Sequence, residues 1–181
     1  SDAMGGVINI VTTKEFSQDN SIRLAAGNLN TSLLSTDLNK SFGDLSLHLA
    51  GFTEKTQGYD VLTTNDPDSD GSERHTLGLD AKYQINEEHS LLATSQNNRG
   101  IVDYDGNSGE GRKRDYQQQV SSIGWQYSDD SYGISTSYGE SYDKSWNYGD
   151  GTSRSDSEGF ITESKTLDLT ARAKITDSQT L

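Results

Sequence analysis

Thr166-Leu167-Asp168-Leu169-Thr170-Ala171-Arg172-Ala173-Lys174-Ile175 is the stretch that decides the fold. Leu167, Leu169, Ala171, Ala173 and Ile175 take the odd positions, and Thr166, Asp168, Thr170, Arg172 and Lys174 lie between them. Successive side chains of a β-strand point to opposite faces, so this spacing predicts a strand with one apolar and one polar face. A helix would carry Asp168 and Arg172 round among the apolar side chains. The same period of two recurs upstream. Leu45, Leu47 and Leu49 alternate with Ser46 and His48. Leu77, Leu79, Ala81, Tyr83 and Ile85 alternate with Gly78, Asp80, Lys82 and Gln84. Ile123, Trp125 and Tyr127 flank Gly124 and Gln126, while Tyr132, Ile134, Thr136, Tyr138 and Tyr142 share one face.

The links between these runs alternate in length. Phe42-Gly43-Asp44, Asn86-Glu87-Glu88, Ser128-Asp129-Asp130 and Thr176-Asp177-Ser178 read as tight turns. The stretches near 57–73, 98–114 and 147–160 read as long loops rich in Gly, Asp, Ser and Asn. A meander with tight turns at one end and long loops at the other is the plan of an outer-membrane barrel, and strands of about ten residues match a tilted crossing. Tyr83, Trp125, Tyr127, Tyr132, Tyr138, Tyr142 and Trp146 stand near the predicted strand ends, where a barrel carries aromatic girdles; the β-propensity of Tyr and Trp accounts for them equally. Alternation alone therefore favours a membrane barrel over a soluble β-sandwich without excluding the latter. The expected fold is all-β: an antiparallel meander of about seven to eight strands from a transmembrane β-barrel. Such a count closes no barrel of its own, and the reading predicts an incomplete polypeptide that begins inside mature sequence.

Composition narrows the function classes. Only 30% of the 181 residues are hydrophobic, and no apolar run approaches a membrane-spanning helix. The net charge of -13 repels nucleic acid and attracts cations, and the basic residues are too few and scattered for a nucleic-acid surface. With no cysteine there is no thiol catalyst, Cys-based metal site or disulfide. His48, His75 and His89 lack metal-ligand spacing, and no nucleophile elbow or phosphate-binding loop is present. The chain reads as no enzyme.

The acids are concentrated in two neighbouring loops. The first carries Asp60, Asp66, Asp68, Asp70 and Glu73, and the second Asp103, Asp105 and Glu110. In a meander these loops share one end. So many carboxylates together suit a hard cation with six to eight oxygen ligands, calcium above magnesium, or else a solvated acidic surface. Asp66-Pro67-Asp68-Ser69-Asp70-Gly71 imitates the opening of an EF-hand loop, but Leu77 stands where the bidentate Glu belongs and the flanks are strands. The third loop, with Asp150, Asp156 and Glu158, reads as a mobile surface loop in which Trp146 or Tyr148 could touch a ligand.

The opening residues, Ser1-Asp2-Ala3-Met4-Gly5-Gly6-Val7-Ile8-Asn9-Ile10-Val11-Thr12-Thr13-Lys14, read bottom-up as a Gly-Gly turn feeding a short strand. Residues 2–11 closely resemble the end of the plug domain in TonB-dependent outer-membrane receptors. Gly58-Tyr59-Asp60-Val61, Asp68-Ser69-Asp70-Gly71, Asn98-Arg99 and Asp103-Tyr104-Asp105 resemble the cobalamin (vitamin B12) transporter branch of that family. The resemblance implies that residues 1–14 end a plug and that 15–181 form the first part of a barrel of about 22 strands. It further implies a bacterial outer-membrane location, lipid around the barrel and energy from the inner-membrane protein TonB. The nutrient would be cobalamin or, elsewhere in the family, a siderophore or haem. It places Asp60, Asp68, Asp70 and Asp105 on calcium-ligand positions. Glu110 falls where that branch has an Asp before a basic pair, here Arg112-Lys113, and Tyr104 is a source of a backbone carbonyl. The reading from another class is a soluble extracellular calcium-binding β-protein.

Overall fold

A computed structural model describes residues 19–60, 68–106, 110–149, 152–157, 159–176 and 179–180. The opening segment 1–14 lies outside the described residues. Nine strands follow one another in a single sheet: β1 (Ser21–Ala26), β2 (Ser32–Phe42), β3 (Leu45–Thr56), β4 (Ser72–Gln84), β5 (His89–Asp105), β6 (Gly111–Ser128), β7 (Tyr132–Gly149), β8 (Gly159–Thr176) and β9 (Gln179–Thr180). Every neighbour is antiparallel and no strand crosses over, so the sheet is an open meander. The all-β meander is thus as the alternation predicts, with β1–β8 as its body and β9 starting the next strand. A 3₁₀ turn, Arg154–Asp156, interrupts the link between β7 and β8.

The register explains the alternation. Leu167 on β8 stands opposite Tyr138, Tyr138 opposite Ile123, Ile123 opposite Ala93, Ala93 opposite Ala81, and Ala81 opposite Leu47. Opposed residues share a face, so this row and its neighbours build one apolar band near the turn end. The reverse face carries Asp168, Ser137, Ser122, Thr94, Lys82 and Ser46. The band's upper border slants across the sheet. On β8 it gives way to Lys165 after Leu167, but on β4 it persists to Leu77, two rows further toward the loops. A slanted border is what tilted strands crossing a layer of constant thickness require.

Among the described residues no apolar side chain is buried, and Leu24, Leu167 and Leu169 are 78%, 76% and 75% exposed. A sandwich would cover these with a second layer; this sheet has none. Each such leucine left in water forgoes about 1.5–3 kcal/mol.

The expected loop at 98–114 is mostly strand. β5 runs to Asp105 and β6 starts at Gly111, so only 106–110 connect them. Beyond the apolar band polar residues dominate, Ile101 and Val102 fall on opposite faces, and the period of two disappears from the sequence although the ladder continues. The turns at the opposite end are short as read. Gly43 (φ 59°) takes the left-handed position of the two-residue link between β2 and β3. Asp129 caps the β6–β7 turn by accepting the N–H of Ser131 and of Tyr132, both at 2.7 Å.

Candidate metal centre

Three carboxylates meet at the loop end of the sheet. Asp60, Asp70 and Asp105 each offer one oxygen, and these oxygens lie within 4.8 Å of one another. Asp60 and Asp70 come from the two arms of the β3–β4 connection, and Asp105 ends β5.

Backbone hydrogen bonds hold these pieces together. In the β1–β2 link, Leu29 and Asn30 adopt the left-handed conformation. That turn aims the Leu29 carbonyl at the Gln57 N–H, 3.0 Å away, and Asn30 Nδ2 donates to Gln57 Oε1 at 2.6 Å. Gly58 follows with φ 67°, where a Cβ would stand 1.9 Å from the Asp70 carbonyl oxygen. Only glycine permits both that conformation and that approach. The Asp70 N–H then donates to the Tyr59 carbonyl at 3.2 Å, closing one arm on the other. The Asp103 N–H donates to the Gly71 carbonyl at 2.8 Å, fastening the pair to β5 two residues before Asp105.

The Oδ1 atoms of Asp60, Asp68, Asp70 and Asp105 are all buried from solvent, and that of Asp60 has no hydrogen-bond donor among the described residues. A buried carboxylate oxygen is costly unless something positive meets it. An all-oxygen, carboxylate-rich set is the chemistry hard divalent cations take.

The other predicted ligands are placed differently. Asp68 stands outside the mutual group, although its Oδ1 is buried nearby in the same connection. Glu110 Oε1 accepts from Arg112 Nε at 2.8 Å and also from Arg112 Nη2. The Gly106 N–H meets the Glu110 carbonyl at 2.8 Å, which folds the short link over. Tyr104, read as a source of a backbone carbonyl, directs its side chain to the reverse face, where the hydroxyl donates to Asn147 Oδ1 at 3.5 Å. Asp66, Asp150 and Glu158 lie outside the described residues. Asp103 is paired with Lys113 Nζ at 3.0 Å. In the third loop, the Arg154 guanidinium lies 3.4 Å from the centre of the Trp146 ring, with Nη1 3.4 Å from Asp115 Oδ2. The Asp156 carboxylate accepts the Ser153 hydroxyl at 2.6 Å and the Ser153 N–H at 2.8 Å, which hold its pKa below the usual carboxylate range.

One cluster went unread in the sequence. His48 joins three strands on the polar face, with Nε2 3.0 Å from Asp37 Oδ2 and Nδ1 3.1 Å from Asp80 Oδ2. The signal was present, since the register sets His48 directly opposite Asp80. His75 is likewise engaged, by Glu73 at 3.0 Å.

No protein-family model matches the chain. Three curated proteins, each a vitamin B12 transporter BtuB from a strain of Vibrio cholerae serotype O1, are 29% identical to it over 158 residues. The match covers 82% of this chain and 25% of each transporter, so the chain spans about a quarter of the length of the curated relatives it matches.

Proposed function

We propose that this chain is part of the wall of a bacterial outer-membrane β-barrel, within a TonB-dependent receptor that imports cobalamin. In this reading residues 1–14 end the plug domain and residues 15–181 form the first strands of the barrel. The observation that carries it is the two-faced single layer: an apolar band on one face, polar side chains on the other, and no buried apolar side chain among the described residues. Lipid is the solvent that satisfies such a band, and a polar interior filled by a plug satisfies the reverse face. A soluble extracellular β-protein would leave Leu167 and Leu169 in water at a large cost. The likeness to vitamin B12 transporters supports cobalamin as the cargo. The protein then acts as a transporter rather than an enzyme, and TonB supplies the energy through the plug.

Asp60, Asp70 and Asp105 would hold calcium, joined by Asp68, Glu110 and the carbonyl of Tyr104. Bound there, calcium supplies the positive charge that cancels the mutual repulsion of these carboxylates. The chain's part is to bring them together: Gly58 lets the loop arms approach, and the Gly71–Asp103 hydrogen bond ties them to β5. A loop so anchored is ready to meet a nutrient at the barrel mouth.

The test is cobalamin binding by the full-length protein in detergent, with calcium and after chelation. Binding that requires calcium is the expected result. Binding indifferent to the chelator would overturn the metal's role, and no binding would move the cargo to a siderophore or haem.

A further inference from the structure

Resting on the outer-membrane reading, we infer that the apolar face carries a seat for the phosphate of an outer-leaflet lipid, centred on Arg99. Arg99 lines a pocket of about 370 Å³ with Asn97, Gln117, His75 and Arg154, and with the carboxylates of Glu73 and Asp115. Arg99, Asn97, Gln117 and His75 all stand on the face that bears the apolar band, with Arg99 opposite His75 on β4 and Gln117 on β6. On β4 the band ends at Leu77, one row below His75 and diagonally beside Arg99, whereas on β5 itself it ends at Ala93, three rows below Arg99. In a barrel wall this is the height of the headgroups, immediately above the acyl chains.

The local charges leave room for an anion at Arg99. The chain as a whole is acidic at -13, so a phosphate needs a local surplus of positive charge. Glu73 is held by Lys55 at 3.1 Å and by His75 at 3.0 Å, and Asp115 by Arg154 at 3.4 Å. The Arg99 guanidinium makes no ion pair or side-chain hydrogen bond with any described residue. Its charge is the unspent one in the pocket. The amides of Asn97 and Gln117 flank it as neutral donors. The planar fork of an arginine matches two phosphate oxygens at once. The third loop bounds the pocket through Arg154, fixed over Trp146. Below, Leu77 and Leu79 on β4 offer a track for an acyl chain beside the polar Asn97 and Ser95 of β5. A free phosphate would use the Arg99 end alone. A lipid uses both ends, and the continuity of pocket and band points to the lipid.

The full-length protein would be reconstituted in nanodiscs containing either lipid A, a phosphorylated glucosamine lipid, or its dephosphorylated counterpart. Bound lipid would be counted by native mass spectrometry. Wild-type protein should retain the phosphorylated lipid selectively, and Arg99→Gln should cut retention about tenfold, as loss of a charge-assisted fork implies. Arg99→Lys should restore part of it. Equal retention of the two lipids by wild-type protein would overturn the inference whatever the variants do, as would undiminished retention by a folded Arg99→Gln. Displacement of the lipid by millimolar inorganic phosphate would also overturn it, by assigning the pocket to the free ion. Protein that stays soluble and never enters a nanodisc would instead refute the barrel reading on which this rests.

Discussion

Asp129 carries the clearest single-residue consequence. Its carboxylate accepts the Tyr127 hydroxyl and the N–H groups of Ser131 and Tyr132. Those donors, Tyr127 first, hold its pKa below the usual carboxylate range. A carboxylate whose pKa is lowered on folding stabilises the fold above its unfolded value, and that stabilisation is lost as pH falls through the folded value. The β6–β7 turn should therefore stay closed from neutral pH down to the ordinary carboxylate range and open below it. Amide exchange at Ser131 and Tyr132, corrected for intrinsic pH dependence, would follow this, and Asp129→Ala should open the turn at neutral pH. At the other end, Gly58→Ala places a methyl group against the Asp70 carbonyl in a left-handed backbone. It should separate Asp60 from Asp70 and weaken the proposed calcium binding about tenfold or more, measured by calorimetry on the full-length protein. Conservation of calcium affinity in that variant would remove Gly58 from the account.

At the scale of the strand, what the sequence reveals depends on what surrounds each segment. β8 and the lower half of β4 read cleanly because one face is apolar and the other polar along many residues. The upper half of β5, from Asn98 to Asp105, looks like a loop in the sequence because its apolar residues, Ile101 and Val102, fall on opposite faces, although the ladder with β6 persists to Asp105 opposite Gly111. β2 is muddied by Lys40, which sits on the apolar face with its Nζ 5.8 Å from the Phe42 ring centre. The acids of the candidate centre were legible from their spacing and from the family resemblance. The attachment of Glu110 to Arg112 and the fold of Arg154 over Trp146 were not, since loop conformation sets them. The faces of β8 make a direct prediction. Leu169→Arg should destabilise the protein folded in vesicles by about 2–4 kcal/mol, as arginine does near the middle of a bilayer. Thr170→Arg, on the reverse face, should cost far less. Urea titration in vesicles measures both, and equal effects would contradict the assignment of faces.

At the scale of the whole molecule, the sheet is a wall. One layer, antiparallel throughout and, among the described residues, without a core of its own, acquires meaning only from what lies on each side. The acidic centre, the Arg99 pocket and the His48 bridge occupy three parts of that wall: the mouth, the outer rim and the polar face. The central claim is that the apolar face meets lipid and the reverse face does not. The chain contains no cysteine, so single cysteines can be placed along β8 of the full-length protein without background. Each position from Thr166 to Lys174 would be changed to Cys, labelled with a polarity-sensitive fluorophore in vesicles, and quenched by lipid-attached or water-soluble quenchers. The account predicts lipid quenching at 167, 169, 171 and 173 and none at the positions between them. Uniform aqueous quenching, or a period other than two, would contradict it.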